Sequence, residues 1–140
     1  MSIPSLETIL DRDLAEKIIS RSVEVITQDG VLFRQGDWGD SVYIVKSGEV
    51  TLTIKAEDKE VHIRAVQGSL LGLAAIIRNE PYTMTAKACW DAEIFRLSTD
   101  ALNNLIDTEP RMQHTALRIF AEEIRAARQA LSDLVSGSEV

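Results

Sequence analysis

The tightest constraint on this chain is the spacing of its turn residues between Val31 and Val50, which read V-L-F-R-Q-G-D-W-G-D-S-V-Y-I-V-K-S-G-E-V. Val31, Leu32 and Phe33 form a short apolar run. Gly36, Asp37, Gly39 and Asp40 then supply turn chemistry, because glycine tolerates positive φ and aspartate bonds its own backbone. Val42, Tyr43, Ile44 and Val45 are β-branched or aromatic and suit a pleated surface. Ser47-Gly48 ends that run, and Val50, Leu52 and Ile54 begin an alternating one. Strand, turn, strand, turn, strand in so short a span predicts the corners of a small β-roll.

The flanking segments extend the pattern. Leu6, Ile9 and Leu10 lie at helical spacing after Pro4 and Ser5. A second helix is expected over Asp11 to Ser20, with Leu14, Ile18 and Ile19 as its apolar side and Asp11 or Asp13 as its cap. Val23 and Val25 open strand-like alternation. Thr51 to Lys55 and Val61 to Val66 pair as a hairpin with a charged tip at Ala56 to Glu60, and His62 points away from the core. Tyr82 to Ala88 and Glu93 to Leu97 read as further strands, and Ser98-Thr99-Asp100 starts a helix with Ala101, Leu102, Leu105 and Ile106 inward. Short strands bracketed by helices, without strand–helix alternation, predict an antiparallel double-stranded β-helix, or jelly roll, in a mainly β fold. The expected organisation is one domain over 1–140: helices over 1–22, a roll over 23–98 and C-terminal helices over 99–135.

The last helix carries its own information. No glycine or proline interrupts Arg111 to Val135, and Leu117, Phe120, Ile124, Ala127, Leu131 and Leu134 are spaced alternately three and four apart. That is a heptad seam, and it predicts a parallel coiled-coil homodimer. With Leu117 at position a, Glu123 falls at g and Arg128 at e, which predicts a contact between them across the dimer. Met112, Ala116 and Ile119 form a side stripe suited to packing back on the roll. Ser136-Gly137-Ser138 is expected to end the helix.

The pattern F-x-x-G-D-x-x-D-S-x-Y-I-V-x-x-G-x-V resembles the first half of a cyclic-nucleotide-binding domain, as in the effector domain of Crp/Fnr-type regulators, and the resemblance continues to Glu109-Pro110 and the helix beyond. It implies a phosphate-binding cassette, here over 70–85, in which a short helix offers backbone N–H groups to a cyclic phosphate. An arginine then pairs with the phosphate, and a glutamate accepts from the ribose. Against a family pattern of roughly G-E-L-A-x-x-x-x-x-P-R-A-x-T, this chain has Gly72-Leu73-Ala74-Ala75, then Pro81-Tyr82-Thr83-Met84-Thr85. Leu73 replaces the glutamate and Tyr82 the arginine. Leaving a buried phosphate without its cation costs roughly 3–5 kcal/mol. Arg78 in the same loop is a candidate substitute, and Arg128 lies where the family contacts the base. The resemblance therefore implies the fold and disfavours cAMP and cGMP. Either the pocket takes a less anionic ligand through Tyr82, Thr83 and Thr85, or its own Leu73 and Tyr82 fill it. The second reading is preferred.

Other functions fare worse. A formal net charge of -7 disfavours nucleic acid and anionic membranes as direct partners. A cupin-type metal enzyme needs two or three inward histidines with a carboxylate, and the chain has only His62 and His114. One cysteine, Cys89, suits neither an iron–sulfur cluster nor an intrachain disulfide, and the expectation for a cysteine without a partner is inert packing. Haem finds only a surface-facing His62. No cofactor, no catalytic residue and a cytoplasmic location are expected. The chain stops soon after Leu134, so the expected protein is either a free-standing regulatory module or the effector part of a transcription regulator without its DNA-binding domain.

Overall fold

The structure is a computed structural model, and it describes residues 5–6, 10–25, 27 and 29–138, with side chains as far as 133. In chain order the elements are α1 (Arg12–Ser20), β1 (Val23–Glu24), β2 (Val31–Phe33), β3 (Ser41–Ser47), β4 (Val50–Ala56), β5 (Lys59–Ala65), β6 (Leu70–Leu71), α2 (Leu73–Arg78), β7 (Thr85–Ala88), β8 (Glu93–Ser98), α3 (Thr99–Thr108) and α4 (Pro110–Ser138). The strands form two four-stranded sheets, ordered β1-β8-β3-β6 and β2-β7-β4-β5, and every strand pairing within them is antiparallel. The expected jelly roll and its long C-terminal helix are the observed fold.

Strand β3 shows why the roll needs its helices. Its run Ser41 to Val45 is buried throughout, because the sheet has a core on each face. Tyr43 and Val45 point between the sheets with Phe33, Leu52, Ile63 and Ile94. Val42 and Ile44 point outward, beneath Leu14 and Ile18 of α1, Leu102 and Leu105 of α3, and Met112, Ala116 and Ile119 of α4. Uniform apolarity in this strand is thus the mark of a sheet covered on both faces. The other sheet keeps one wet face, and His62 stands there, exposed, 3.0 Å from the Thr53 hydroxyl.

Local chemistry sets the helix starts as the sequence predicts. Asp11 caps α1 by accepting from the Leu14 N–H, and Ser98 caps α3 by accepting from Ala101. Charged side chains tie α1 to the root of α4. The Lys17 ammonium donates to Glu109 at 2.7 Å, and Arg111 pairs with Asp13 and Glu109.

Three expectations change. Ser5 and Leu6 do not begin a helix: Ser5 bridges to Arg64 and the Leu6 N–H donates to the Arg64 carbonyl, so β5 offers that segment backbone partners that a helix start would leave unmet. Ile9 lies outside the described residues. Cys89 is exposed rather than packed, since it sits in the β7–β8 turn beside Trp90, which is 97% exposed. Helix α4 runs on through Gly137 to Ser138. Continuing a long helix adds a hydrogen bond per residue, which offsets the roughly 1 kcal/mol penalty of a glycine.

Gly48 holds the β3–β4 corner at φ +81°, and a Cβ there would stand 2.8 Å from the Ala92 Cα. Gly48→Ala should lower the unfolding free energy by roughly 1–3 kcal/mol, read from urea denaturation, with the fold retained.

Candidate functional site

The cassette begins where β6 delivers Gly72 into the space between the sheets. Gly72 is left-handed at φ +86°, and a Cβ on it would lie 3.0 Å from the Tyr82 ring. Helix α2 starts at the next residue without a side-chain cap from its own N-terminus. Its first N–H groups find a partner far away in sequence: those of Leu73 and Ala74 donate to Glu123 of α4 at 3.1 and 3.0 Å, one to each carboxylate oxygen. Orphan donors at a helix start are normally met by a local cap or by water. Here a buried carboxylate fifty residues downstream meets them.

Burial pushes the Glu123 carboxyl up from its ordinary 4.5 to about 7, against the opposing pull of the Ala74, Leu73 and Gly72 backbone N–H groups. The sequence expectation for this residue is therefore corrected. Glu123 does not project from position g toward a partner's Arg128, because its side chain turns inward and is 4% exposed. A signal for this exists in the sequence: Glu123 continues the inward stripe Met112, Ala116, Ile119, and Ala126 and Ala130 follow it.

Tyr82 is the second determinant. Its ring stacks on Phe33 with centroids 4.1 Å apart. Its hydroxyl donates to the Ser41 carbonyl at 2.7 Å and accepts from the Asp40 and Ser41 N–H groups at 3.3 and 3.2 Å. Burial pushes its pKa up to about 12. The turn at Gly36 to Asp40 clamps it from outside, since the Gly36 N–H donates to the Tyr82 carbonyl and the Tyr82 N–H to the Asp37 carbonyl. What remains is a cavity of about 10 Å³, lined among others by Gly72, Ala75, Tyr82, Thr83 and Glu123. A void of that size holds about one water.

The remaining candidates divide. Gly72, Ala75, Tyr82 and Thr83 line the cavity. Leu73 does not plug it, because its side chain belongs to the outer core beneath α1 and α3. Ala74 is buried and contributes its N–H. Arg78 points outward to Glu80 at 3.5 Å. The Thr85 hydroxyl accepts from the Gln35 N–H. Arg128 is exposed on the outer side of α4, in a shallow groove with Phe120 and Ile124. Phe33 and Ser41, which complete the Tyr82 socket, were not singled out from sequence as site residues.

Of the dimer-seam candidates, Ala127 packs against the inner core of the roll. Leu117 is 67% exposed and Leu131 40%, while Phe120, Ile124 and Ala127 are half-buried. The side chain of Leu134 lies outside the described residues. His62 and His114 are both exposed, on β5 and α4, and among the described residues no three His, Cys, Asp or Glu side chains cluster as a metal site. No helix among the described residues is long and apolar enough to cross a membrane.

Comparison with known proteins agrees with the geometry of the roll. Residues 23–109 match the cyclic nucleotide-binding domain family. The chain is 27% identical over 106 residues to a CRP-like cAMP-activated global transcriptional regulator of Mycobacterium tuberculosis, covering 74% of this chain and 47% of that protein. It is 26% identical over 133 residues to the transcriptional activator protein Anr of Pseudomonas protegens, covering 94% and 54% respectively. Among solved structures, the catabolite activator protein of Thermus thermophilus superposes with a TM-score of 0.73 at 26% identity, over 91% of this chain and 61% of that one. The chain spans about half the length of these curated relatives.

The Glu123 carboxyl binds a proton more readily when buried than when unfolded, so the folded protein takes up protons between the two pKa values. Its contribution is full below about pH 4.5 and is lost as pH rises through about 7. Stability measured by urea denaturation should fall across that window with a slope of up to about one proton per molecule attributable to this residue, and Glu123→Gln should remove that component.

Proposed function

Because this chain belongs to the cyclic nucleotide-binding domain family, we propose that it is a regulatory module that homodimerises through α4 and whose pocket, filled from within, takes neither cAMP nor cGMP. One observation carries the pocket reading. Tyr82 stands where the resemblance calls for the phosphate-binding arginine, and its stacking on Phe33 and bonding to Ser41 leave about 10 Å³. Small-molecule sites usually enclose about 300 Å³ or more. A nucleotide would have to expel Tyr82 and would then meet a carboxylate instead of a cation. Leu73, whose side chain lies in the outer core, offers the ribose no acceptor.

The dimer reading is supported by the seam on α4. Leu117 and Leu131 are exposed and Phe120 and Ile124 half-buried, at coiled-coil spacing. The inward stripe beside them already holds the helix to its own domain, so the seam is free to serve a second copy.

A second reading is favoured by the relatives. Two are named as transcriptional regulators, and the chain spans about half their length. In that setting it is the effector domain of a Crp/Fnr-type regulator, and any small ligand would have to displace Tyr82. Both readings make the chain a non-enzymatic, cytoplasmic module that leaves nucleic acid to other parts.

Calorimetric titration with cAMP and with cGMP should show no micromolar binding; a micromolar dissociation constant for either overturns the pocket reading. Sedimentation should find a dimer, and Leu117→Lys combined with Leu131→Lys should yield a folded monomer. A wild-type monomer at tens of micromolar would refute the seam.

A further inference from the structure

We infer that Glu123 is a built-in ligand of the cassette: its carboxylate, gripped by the Leu73 and Ala74 amides, fastens α4 to α2 and fixes the heading of the seam without an effector. This rests on the reading of the chain as a regulatory module with an internally filled pocket, and it names what holds that module in one state.

The geometry carries the inference. Each carboxylate oxygen takes one N–H, at 3.1 and 3.0 Å, so the contact constrains orientation as well as distance. Gly72, at the head of α2, has no side chain to do the same locally. The contact bridges two elements that are otherwise joined mainly by small or apolar packing: Ala126 and Ala130 of α4 lie on the inner core with Ala75 of α2. Such a carboxylate would be expensive to bury for packing alone. An apolar residue would continue the stripe from Ile119 to Ala126 at no desolvation cost, but it would leave the two amides unmet.

The surroundings also make the contact responsive to pH. The titratable side chains facing this region are few. The Tyr82 hydroxyl is committed to Ser41. On α4, Glu122 pairs with Arg125 at 2.6 Å. From α2, Arg78 points out to Glu80. Strand β5, across which α4 lies, sends Ile63 and Ala65 inward and Lys59, Glu60, His62 and Arg64 to solvent. Among the described residues no neighbouring cation therefore neutralises Glu123, and a proton can do so. Docked α4 takes up that proton more readily than a released helix would, so docking tightens as pH falls from about 7 toward 4.5.

Amide hydrogen exchange on the nucleotide-free chain tests this. Glu123→Ala should speed exchange at Leu73, at Ala74 and along α4 from Ile124 onward by roughly tenfold to a hundredfold, the worth of hydrogen bonds to a charged group. Strands β3 and β4 should stay protected, and Glu123→Gln, which keeps one acceptor, should lose less. Unchanged exchange at those sites in a folded Glu123→Ala protein overturns the inference. If that variant does not fold, the wild type decides. The Leu73 and Ala74 amide resonances should titrate together with one midpoint well above pH 5, and amides that stay still between pH 4.5 and 8 refute it. Nucleotide titration is a separate matter: binding there would defeat the pocket reading and leave the exchange result standing.

Discussion

A single buried carboxylate ties the parts of this protein together. Glu123 satisfies the start of α2, closes one wall of the residual cavity and pins the middle of α4. Its energetics are a contest between burial, which favours the neutral acid, and backbone N–H groups, which favour the anion, and burial prevails. An element held in this way is neither a simple cap nor a salt bridge. It resembles the anchoring of a bound group by the free amides of a helix start, except that the acceptor is part of the chain.

Tyr82 acts with it from the opposite side. The residue is locked by its ring, its hydroxyl and its own backbone at once, through Phe33, Ser41 and the turn at Gly36 to Asp37. Each of those partners lies in the strand–turn–strand segment that shapes the roll. The corner that gives the fold its curvature is thus also the socket for the side chain occupying its interior, and fold and pocket cannot be altered independently there.

Much of this was legible in the sequence. The turn chemistry around Gly36 to Gly48 pointed to the roll, and residue type marked the helix starts, at Asp11 or Asp13 for α1 and at Ser98-Thr99-Asp100 for α3. The substitutions at Leu73 and Tyr82 marked the cassette as altered. What periodicity could not supply was direction. Leu73 turns to the outer core because α2 has one face on each of two apolar clusters, and only the packing decides which side chain goes where. The heptad register that starts at Leu117 puts Glu123 at position g, facing a partner's Arg128, although the stripe Met112, Ala116, Ile119 points straight to its buried place. Ser5 and Leu6 followed the edge of β5 rather than their own helical spacing, a tertiary override of a local pattern.

Helix α4 is held by the ionic cluster of Arg111, Asp13, Glu109 and Lys17 at its root, by Glu123 near its middle, and by Ala126 and Ala130 beyond it. From Ala130 to the last turn at Ser138 the rod extends by about 12 Å at the usual rise per residue. It therefore behaves as a short lever with its fulcrum inside the domain. Each degree of tilt about that fulcrum carries the far end by about 0.2 Å.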